Sequence, residues 1–318
     1  MHLLYALSLI VACGPSNSDT EEIPPGVEPL APPLAGEGFQ MSMEATAPAL
    51  TEAWLCKVYD LPTTSLSNVN RIEYQQNFGT HHMTLSTQAL AGKRMEPGDY
   101  DCHDLYADPE LMATAVNLFG GQGDAEGVVQ LPEGVAAQIP AGIQVLHELH
   151  YVNFTDEPVR LYSRVNAWTI PDEQVVSGIW GGQARDEYLE IPTGEGHTEW
   201  TRCVFNEDVD VLFLASHTHK HATRFDIRRF DGTATGEVIY TNDDWHSPKL
   251  TQFDPALHVT AGAGFEFTCT YRNDTGAPLR YGLTADDEMC NLAYVHTPSS
   301  RTATCEIVES SNGPLSAE

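Results

Sequence analysis

Apolar and polar residues alternate along much of this chain. Phe265, Phe267, Cys269 and Tyr271 alternate with Glu266, Thr268, Thr270 and Arg272, the period-two pattern of a half-buried strand. Val209, Val211, Phe213 and Ala215 read likewise as one face of a strand. Turn signals fall between such runs: Asn273-Asp274-Thr275-Gly276, Asp231-Gly232 and Asn242-Asp243. One helix is predicted, with Asp108 as its cap, Pro109 in its first position and Gly120-Gly121 at its end. Many short strands and few helices favour an all-β sandwich or jelly roll. No repeat of solenoid period is present.

The ends read differently from the body. Leu3–Val11 is a short apolar run followed by Ala12-Cys13-Gly14, which resembles a bacterial lipoprotein signal, although the start has His2 and no Lys or Arg. This predicts a signal peptide over 1–12 and a lipidated Cys13. Residues 13–45, rich in Pro, Ser, Gly and Glu, read as a flexible tether, and 310–318 as a loose tail. At ~100–200 residues per domain, the 318-residue chain has room for two. A break near Pro171 divides the body into 46–170 and 171–309.

Charge narrows the partners. Lys plus Arg number 16 against 45 Asp plus Glu, a net −29. Nucleic acid needs a basic footprint and is excluded as a partner. Anionic lipid surfaces repel such a chain. No apolar run reaches the ~20 residues of a spanning helix, so membrane contact is expected only through a lipid anchor. Setting Cys13 aside leaves six of the seven cysteines, without a CxxC pair. In an exported chain this suggests three disulfides, with the pairing open from spacing alone.

The chemistry lies in the histidines, which cluster: His81-His82-Met83, then His147 and His150 before Tyr151, then His217-Thr218-His219-Lys220-His221. His217 and His219 sit two apart at the end of an apolar run, so a strand turns both imidazoles to one face, an arrangement that suits a metal. A surface pair near a turn is the bland alternative. His81 and His82 are adjacent and would point to opposite faces of a regular strand. If both bind one metal, the backbone there must be irregular, for instance bulged. His147 and His150 differ in parity, so only one of them faces a given site. Met289, in Asp287-Glu288-Met289-Cys290-Asn291, adds a soft thioether that favours Cu(I) over zinc or calcium. Glu288, beside Met289, is a candidate for orienting that loop, and the sequence leaves its role open. His103, His197, His246, His258 and His296 read as surface or hydrogen-bonded residues, and His147 and His221 as neighbours of the sites.

The order HisHisMet, HisTyr, HisThrHis, AspGluMetCysAsn resembles the copper type II, ascorbate-dependent monooxygenases, a family that includes peptidylglycine α-hydroxylating monooxygenase and dopamine β-monooxygenase. The likeness runs from about Glu52 to Glu306. It implies two antiparallel jelly-roll-like β-sandwich domains with one copper each, two per chain. By family position Cys56 pairs with Cys102, Cys203 with Cys305 and Cys269 with Cys290. Thr84-Leu85-Ser86-Thr87 stands where the family has a further cysteine. His81, His82 and His150 would hold an electron-storing copper, His150 being chosen because it directly precedes Tyr151. His217, His219 and Met289 would hold the copper at which O2 reacts with a substrate C–H bond. Ascorbate or another reductant would supply the electrons, and a small molecule would be the substrate. Asn291 and Tyr294 are candidate substrate contacts. Ala215 and Ala293 stand where the peptide-hydroxylating members have Arg and Tyr, which suggests a roomier, less cationic pocket for a neutral or amine-bearing molecule. The alternatives are a copper-binding or copper-delivery lipoprotein without catalysis, and a zinc hydrolase with Glu148 as general base. An exported cell-surface or outer-membrane lipoprotein is expected, or otherwise a periplasmic or secreted protein.

Overall fold

The computed structural model describes residues 28–87, 94–107, 116–122, 124–282 and 286–312. Strands dominate, and each half of the chain folds as two facing sheets. In the first half one sheet runs Gly38–Ala47, Val159–Thr169, Ser67–Gln76, Val135–Ile139 and Ser177–Gly178, with Glu126–Gln130 also paired to Ser67–Gln76. Its partner sheet runs Gly98–Asp101, Thr51–Asp60, Gln144–Asn153, Thr80–Thr87 and Val116–Gln122. Met43, Met83, Leu85, Val145, Leu149, Leu161 and Val165 pack into the core of this half.

In the second half one sheet runs Trp180–Arg185, Asn291–Thr297, Val209–His217 and Thr251–Val259. The other runs Thr235–Asn242, Ala222–Phe230, Gly264–Asn273, Gly194–Phe205 and Cys305–Ser310. Phe265, Phe267, Cys269 and Tyr271 are buried while the residues between them are less so, as the alternation predicts. The turn at Asn273 closes as its side chain accepts from the Thr275 amide at 3.1 Å, with Gly276 at φ +83 supplying the left-handed step.

Three disulfides join Cys56 to Cys102, Cys203 to Cys305 and Cys269 to Cys290. They fit an oxidising compartment. Among the described residues no helix is long and apolar enough to cross a membrane.

Several expectations change. Strict alternation fails in Val209–His217, where four apolar residues run together. The register shifts between Val211 and Phe213 against both neighbouring strands. This bulge sends Val211 and Leu214 into the core of the second half, and Leu212 and Phe213 to a different cluster with Leu131 of the first half. The expected tether is a strand from Gly38, fully registered against Val159–Thr169. Nor is Ser310 in a loose tail: it ends a strand, and the Ser311 amide donates to the Trp200 carbonyl. The chain stays with the first half past Pro171, because Ser177–Gly178 pairs in parallel with Val135–Ala136. The predicted helix fails at its end, since Val116–Gln122 is a strand; its start over 108–115 lies outside the described residues. The signal segment and Cys13 lie outside them too.

Candidate metal centre

Strand parity builds the first cluster. On Gln144–Asn153 the odd residues Val145 and Leu149 enter the core, and His147 goes with them, bonded to Ser163 Oγ at 2.9 Å and Tyr59 OH at 3.2 Å. The even residues Glu148 and His150 lie on the outer face. On Thr80–Thr87 the same division puts Met83 and Leu85 inside and His82 and Thr84 outside. His81 would then point inward. The register shift between Thr80 and His82 against Gln144–Asn153 breaks the alternation at this residue. His81, His82 and His150 each offer a ring nitrogen, and these atoms all lie within 4.8 Å of one another.

Hydrogen bonds leave one nitrogen of the His82 and His150 rings for a ligand. His82 Nε2 meets Glu148 Oε1 at 2.6 Å, and His150 Nε2 meets Glu52 Oε1 at 2.6 Å. Glu148 is held low, at about 2, because the His82, Tyr106 and Trp54 donors outweigh the opposing effect of burial. An ionised carboxylate only accepts, so His82 Nε2 is the donor to Glu148, and its Nδ1 is the nitrogen without a hydrogen bond. The Nδ1 atoms of His81, His82 and His150 are all buried without a hydrogen-bond partner. Buried polar atoms without partners are rare in a native fold, and three of them on adjoining rings suit a set of metal ligands. Burial lowers the His81 pKa strongly and that of His150 to about 4, so the lone pairs stay available near neutrality.

Glu148 also accepts from Trp54 Nε1 at 2.6 Å, from Thr84 Oγ1 at 2.9 Å and from the Tyr106 hydroxyl. With its oxygens occupied it has no room to activate a water, so the zinc-hydrolase alternative loses its base.

The second cluster stands on the outer face of the second half. Across the sheet His217 pairs with Asn291, Ala215 with Ala293 and Phe213 with Val295. The bulge at Leu212 puts this row on the side turned toward the first half. His217 and His219 rings are 5.3 Å apart. His219 Nδ1 donates to the Asp287 carbonyl at 3.1 Å, which leaves Nε2 as its lone pair. Burial lowers both pKa values, that of His217 well below its ordinary range.

Glu288 ties the methionine loop to the histidine loop. Its Oε2 accepts from the His219 amide at 3.1 Å and the Met289 amide at 3.2 Å, and its Oε1 from the His221 amide at 2.7 Å. Burial raises its pKa to about 7, with the three donors pulling the other way. Asn291 Nδ2 donates to Met289 Sδ at 3.2 Å.

The two clusters meet. The His82 ring lies 6.2 Å from that of His217, and the His81 ring 6.5 Å from that of His219. Residues 190–313 match the family model for the copper type II ascorbate-dependent monooxygenase, C-terminal domain. The match contains His217, His219, Glu288, Met289 and Asn291, together with Cys203–Cys305 and Cys269–Cys290. The second half is therefore similar to a domain of copper- and ascorbate-dependent oxidoreductases, on a mainly antiparallel β scaffold.

Tyr294 departs from its expected place. It is buried in the core of the second half, stacked near His296, and its hydroxyl accepts from the Cys305 amide at 2.9 Å. Three positions from Asn291 on one strand, it has the opposite parity and cannot face the same site. Sequence reading also missed Arg185. It pairs with Asn291 on the outer face, and its positive charge contributes to the lowering of the His217 pKa. Only sheet register reveals this neighbour, 32 positions upstream of His217.

Proposed function

We propose that the protein is a copper-dependent monooxygenase that hydroxylates a substrate C–H bond with O2 and a reductant such as ascorbate. The observation that carries this reading is the convergence of two imidazole clusters at the junction of the two halves, one inside the family match. His81, His82 and His150 would hold one copper through Nδ1. His219 through Nε2, with His217 and the Met289 sulfur, would hold the other. Copper supplies one-electron redox chemistry and reaction with O2, and the thioether favours the reduced ion.

The chain's own residues do the rest. Glu148 and Glu52 keep protons on the far nitrogens of His82 and His150. Glu288 holds the His219 and Met289 backbones at fixed separation. The substrate enters over the Ala215–Ala293 pair, where small side chains leave room, and meets Asn291 and Arg185 as its polar contacts. This revises the expectation drawn from Ala215 alone. A net charge of −29 favours cations at long range, but beyond ~8 Å that field is screened at physiological salt. A guanidinium beside the site acts inside that distance, so substrates bearing a hydrogen-bond acceptor or carboxylate are preferred.

Elemental analysis of exported, disulfide-bonded protein tests the metal content. About two coppers per chain, with one lost in Met289→Ala, are expected; zinc or no metal refutes the reading. Coupled consumption of O2, ascorbate and substrate then separates an enzyme from a copper carrier. Preferential turnover of amines over carboxylates refutes the role of Arg185. We further propose that Cys13 is lipidated after export. Incorporation of labelled fatty acid that Cys13→Ser abolishes is expected, and an unlabelled wild type overturns this.

A further inference from the structure

The three imidazoles of the first cluster are not held alike. Glu148 fixes His82 and Glu52 fixes His150, each at 2.6 Å. His81 sits at the register shift, and its Nδ1 has no hydrogen-bond partner. Its neighbours are rings. His82 and His150 lie 5.0 Å away within the cluster. From the second half come Trp245 at 5.4 Å, His246 at 6.3 Å and His219 of the second cluster at 6.5 Å.

Trp245 and His246 belong to the loop between the Thr235–Asn242 and Thr251–Val259 strands, and that loop is tied down at each end. Asn242 Nδ2 donates to the Asp244 carbonyl at 2.7 Å, and Asp244 Oδ1 accepts from the His246 amide at 3.0 Å. The Tyr240 hydroxyl donates to the Lys249 carbonyl at 2.9 Å and accepts from the amide of Ser216, next to His217, at 3.2 Å. Ser247 Oγ reaches Asp124 of the first half at 3.4 Å. The Trp245 and His246 rings stand edge to face, 5.7 Å apart. The loop is thus anchored beside one histidine cluster and ends against the other.

We propose that Trp245 and His246 are positioning residues for His81, doing across the junction what Glu148 and Glu52 do for His82 and His150. This rests on reading His81, His82 and His150 as metal ligands. A ring on a bulge, with no hydrogen bond at Nδ1, keeps its orientation through what packs against it. Removing Trp245 frees His81 to turn its lone pair away from the point where the other two converge. The first metal site is then complete only when the second half is docked, and its affinity reports that docking.

The test uses the full chain and Cu(I), in competition with a chromophoric chelator. Wild type, Trp245→Ala, Trp245→Phe, His246→Ala, His150→Ala and His217→Ala are compared. Trp245→Ala is expected to weaken one copper equivalent about tenfold or more, the size typical of lost outer support for a ligand. The weakened equivalent is the one that His150→Ala removes. The Cu(II) resonance spectrum of that site changes, and Trp245→Phe restores most of the affinity. His246→Ala gives a smaller loss at the same site. Trp245→Phe also guards against misfolding of the alanine variant, since Cu(II) should quench less of the total tryptophan emission without Trp245. Wild-type affinity and spectrum in Trp245→Ala, or weakening of the equivalent that His217→Ala removes, overturns the proposal. Should Trp245→Ala fail to fold, unchanged fractional quenching in Trp245→Phe overturns it. If His150→Ala leaves both equivalents in place, the ligand reading itself fails, and the inference with it.

Discussion

Glu288 is the most informative single residue in the second half. It is fully buried, and its two oxygens take three backbone amides, those of His219, His221 and Met289. Glu288→Ala strands all three. A buried donor left without a partner costs on the order of 1–3 kcal/mol, so roughly 3 kcal/mol is the least expected loss. Against a typical domain stability of about 5–15 kcal/mol this is severe. Glu288→Gln is the finer probe. One amide oxygen can still serve His219 and Met289, but the new NH2 then faces the His221 amide. That removes one acceptor, for about 1–3 kcal/mol. The damage is local, because none of these three amides belongs to the first cluster. The assay is paired: urea unfolding of metal-free protein, and copper per chain by elemental analysis. Glu288→Gln should lower the unfolding free energy by that amount and lose the copper proposed at Met289 before the one proposed at the three histidines. The reasoning is refuted if the variant unfolds at the wild-type midpoint, or if the three-histidine copper is lost first.

Other predictions follow from the same geometry. Glu148→Ala leaves Trp54, His82, Thr84 and Tyr106 without their common acceptor. It should cost about 3–5 kcal/mol, as removal of one partner of a buried pair does, and should release only the copper proposed at the three histidines; equal loss at both proposed sites argues against it. Cys269 and Cys290 are 21 residues apart, and their bond anchors the strand that begins beside Met289. Replacing both by Ala should lower stability by about 3 kcal/mol on the loop-entropy estimate, read from the denaturant midpoint, and a loss under about 1 kcal/mol contradicts this. His147 is wholly buried, and burial lowers its pKa to about 3. The unfolded chain takes up its proton near pH 6.5 while the folded one resists, so this contribution is complete above 6.5 and disappears as pH falls toward 3. Stability of the metal-free protein should fall by about 1.4 kcal/mol per pH unit for this residue across that window. His147→Gln should flatten the pH dependence by one proton, and an unaltered slope rejects the assignment.

Local pattern carried the β class, the Gly264–Asn273 strand, the Asn273 turn and the clustering of histidines. It also stated the condition for His81 and His82 to share a site, an irregular strand, and the register shift lies there. What it could not carry depended on distant pairing. Val211-Leu212-Phe213-Leu214 is apolar throughout, so periodicity cannot say which residues enter which core; the neighbouring strands decide through the bulge. Gly38–Ala47 lies next to a Pro-rich stretch, and its partner strand is over a hundred residues away, so composition misassigned it. Arg185 reached the site by sheet register, and Trp245 by a loop from the other half. Tyr294 failed for the opposite reason: family position suggested it, and one step of strand parity removes it.

A bulge therefore accompanies each histidine cluster, and together they explain how two sandwiches with ordinary cores can share a site. A regular Thr80–Thr87 strand would send His81 toward Met83 and Leu85. A regular Val209–His217 strand would put His217 on the side of Val211, inside the second half. One extra residue in each strand puts imidazoles from both halves on the facing surfaces. Such a surface tolerates little positive charge of its own. Two imidazolium groups 6.2 Å apart, as His82 and His217 would be, repel by ~3 kcal/mol at an effective dielectric of 20. Burial adds to that cost, and the lowered pKa values of His81, His217 and His219 express both effects. The lowered values keep His81, His217 and His219 neutral, and each cluster has carboxylates that would balance a bound cation: Glu148 and Glu52 on one side, Glu288 on the other. Part of the acid excess that was uninformative as a total is thus placed where metal charge would be received.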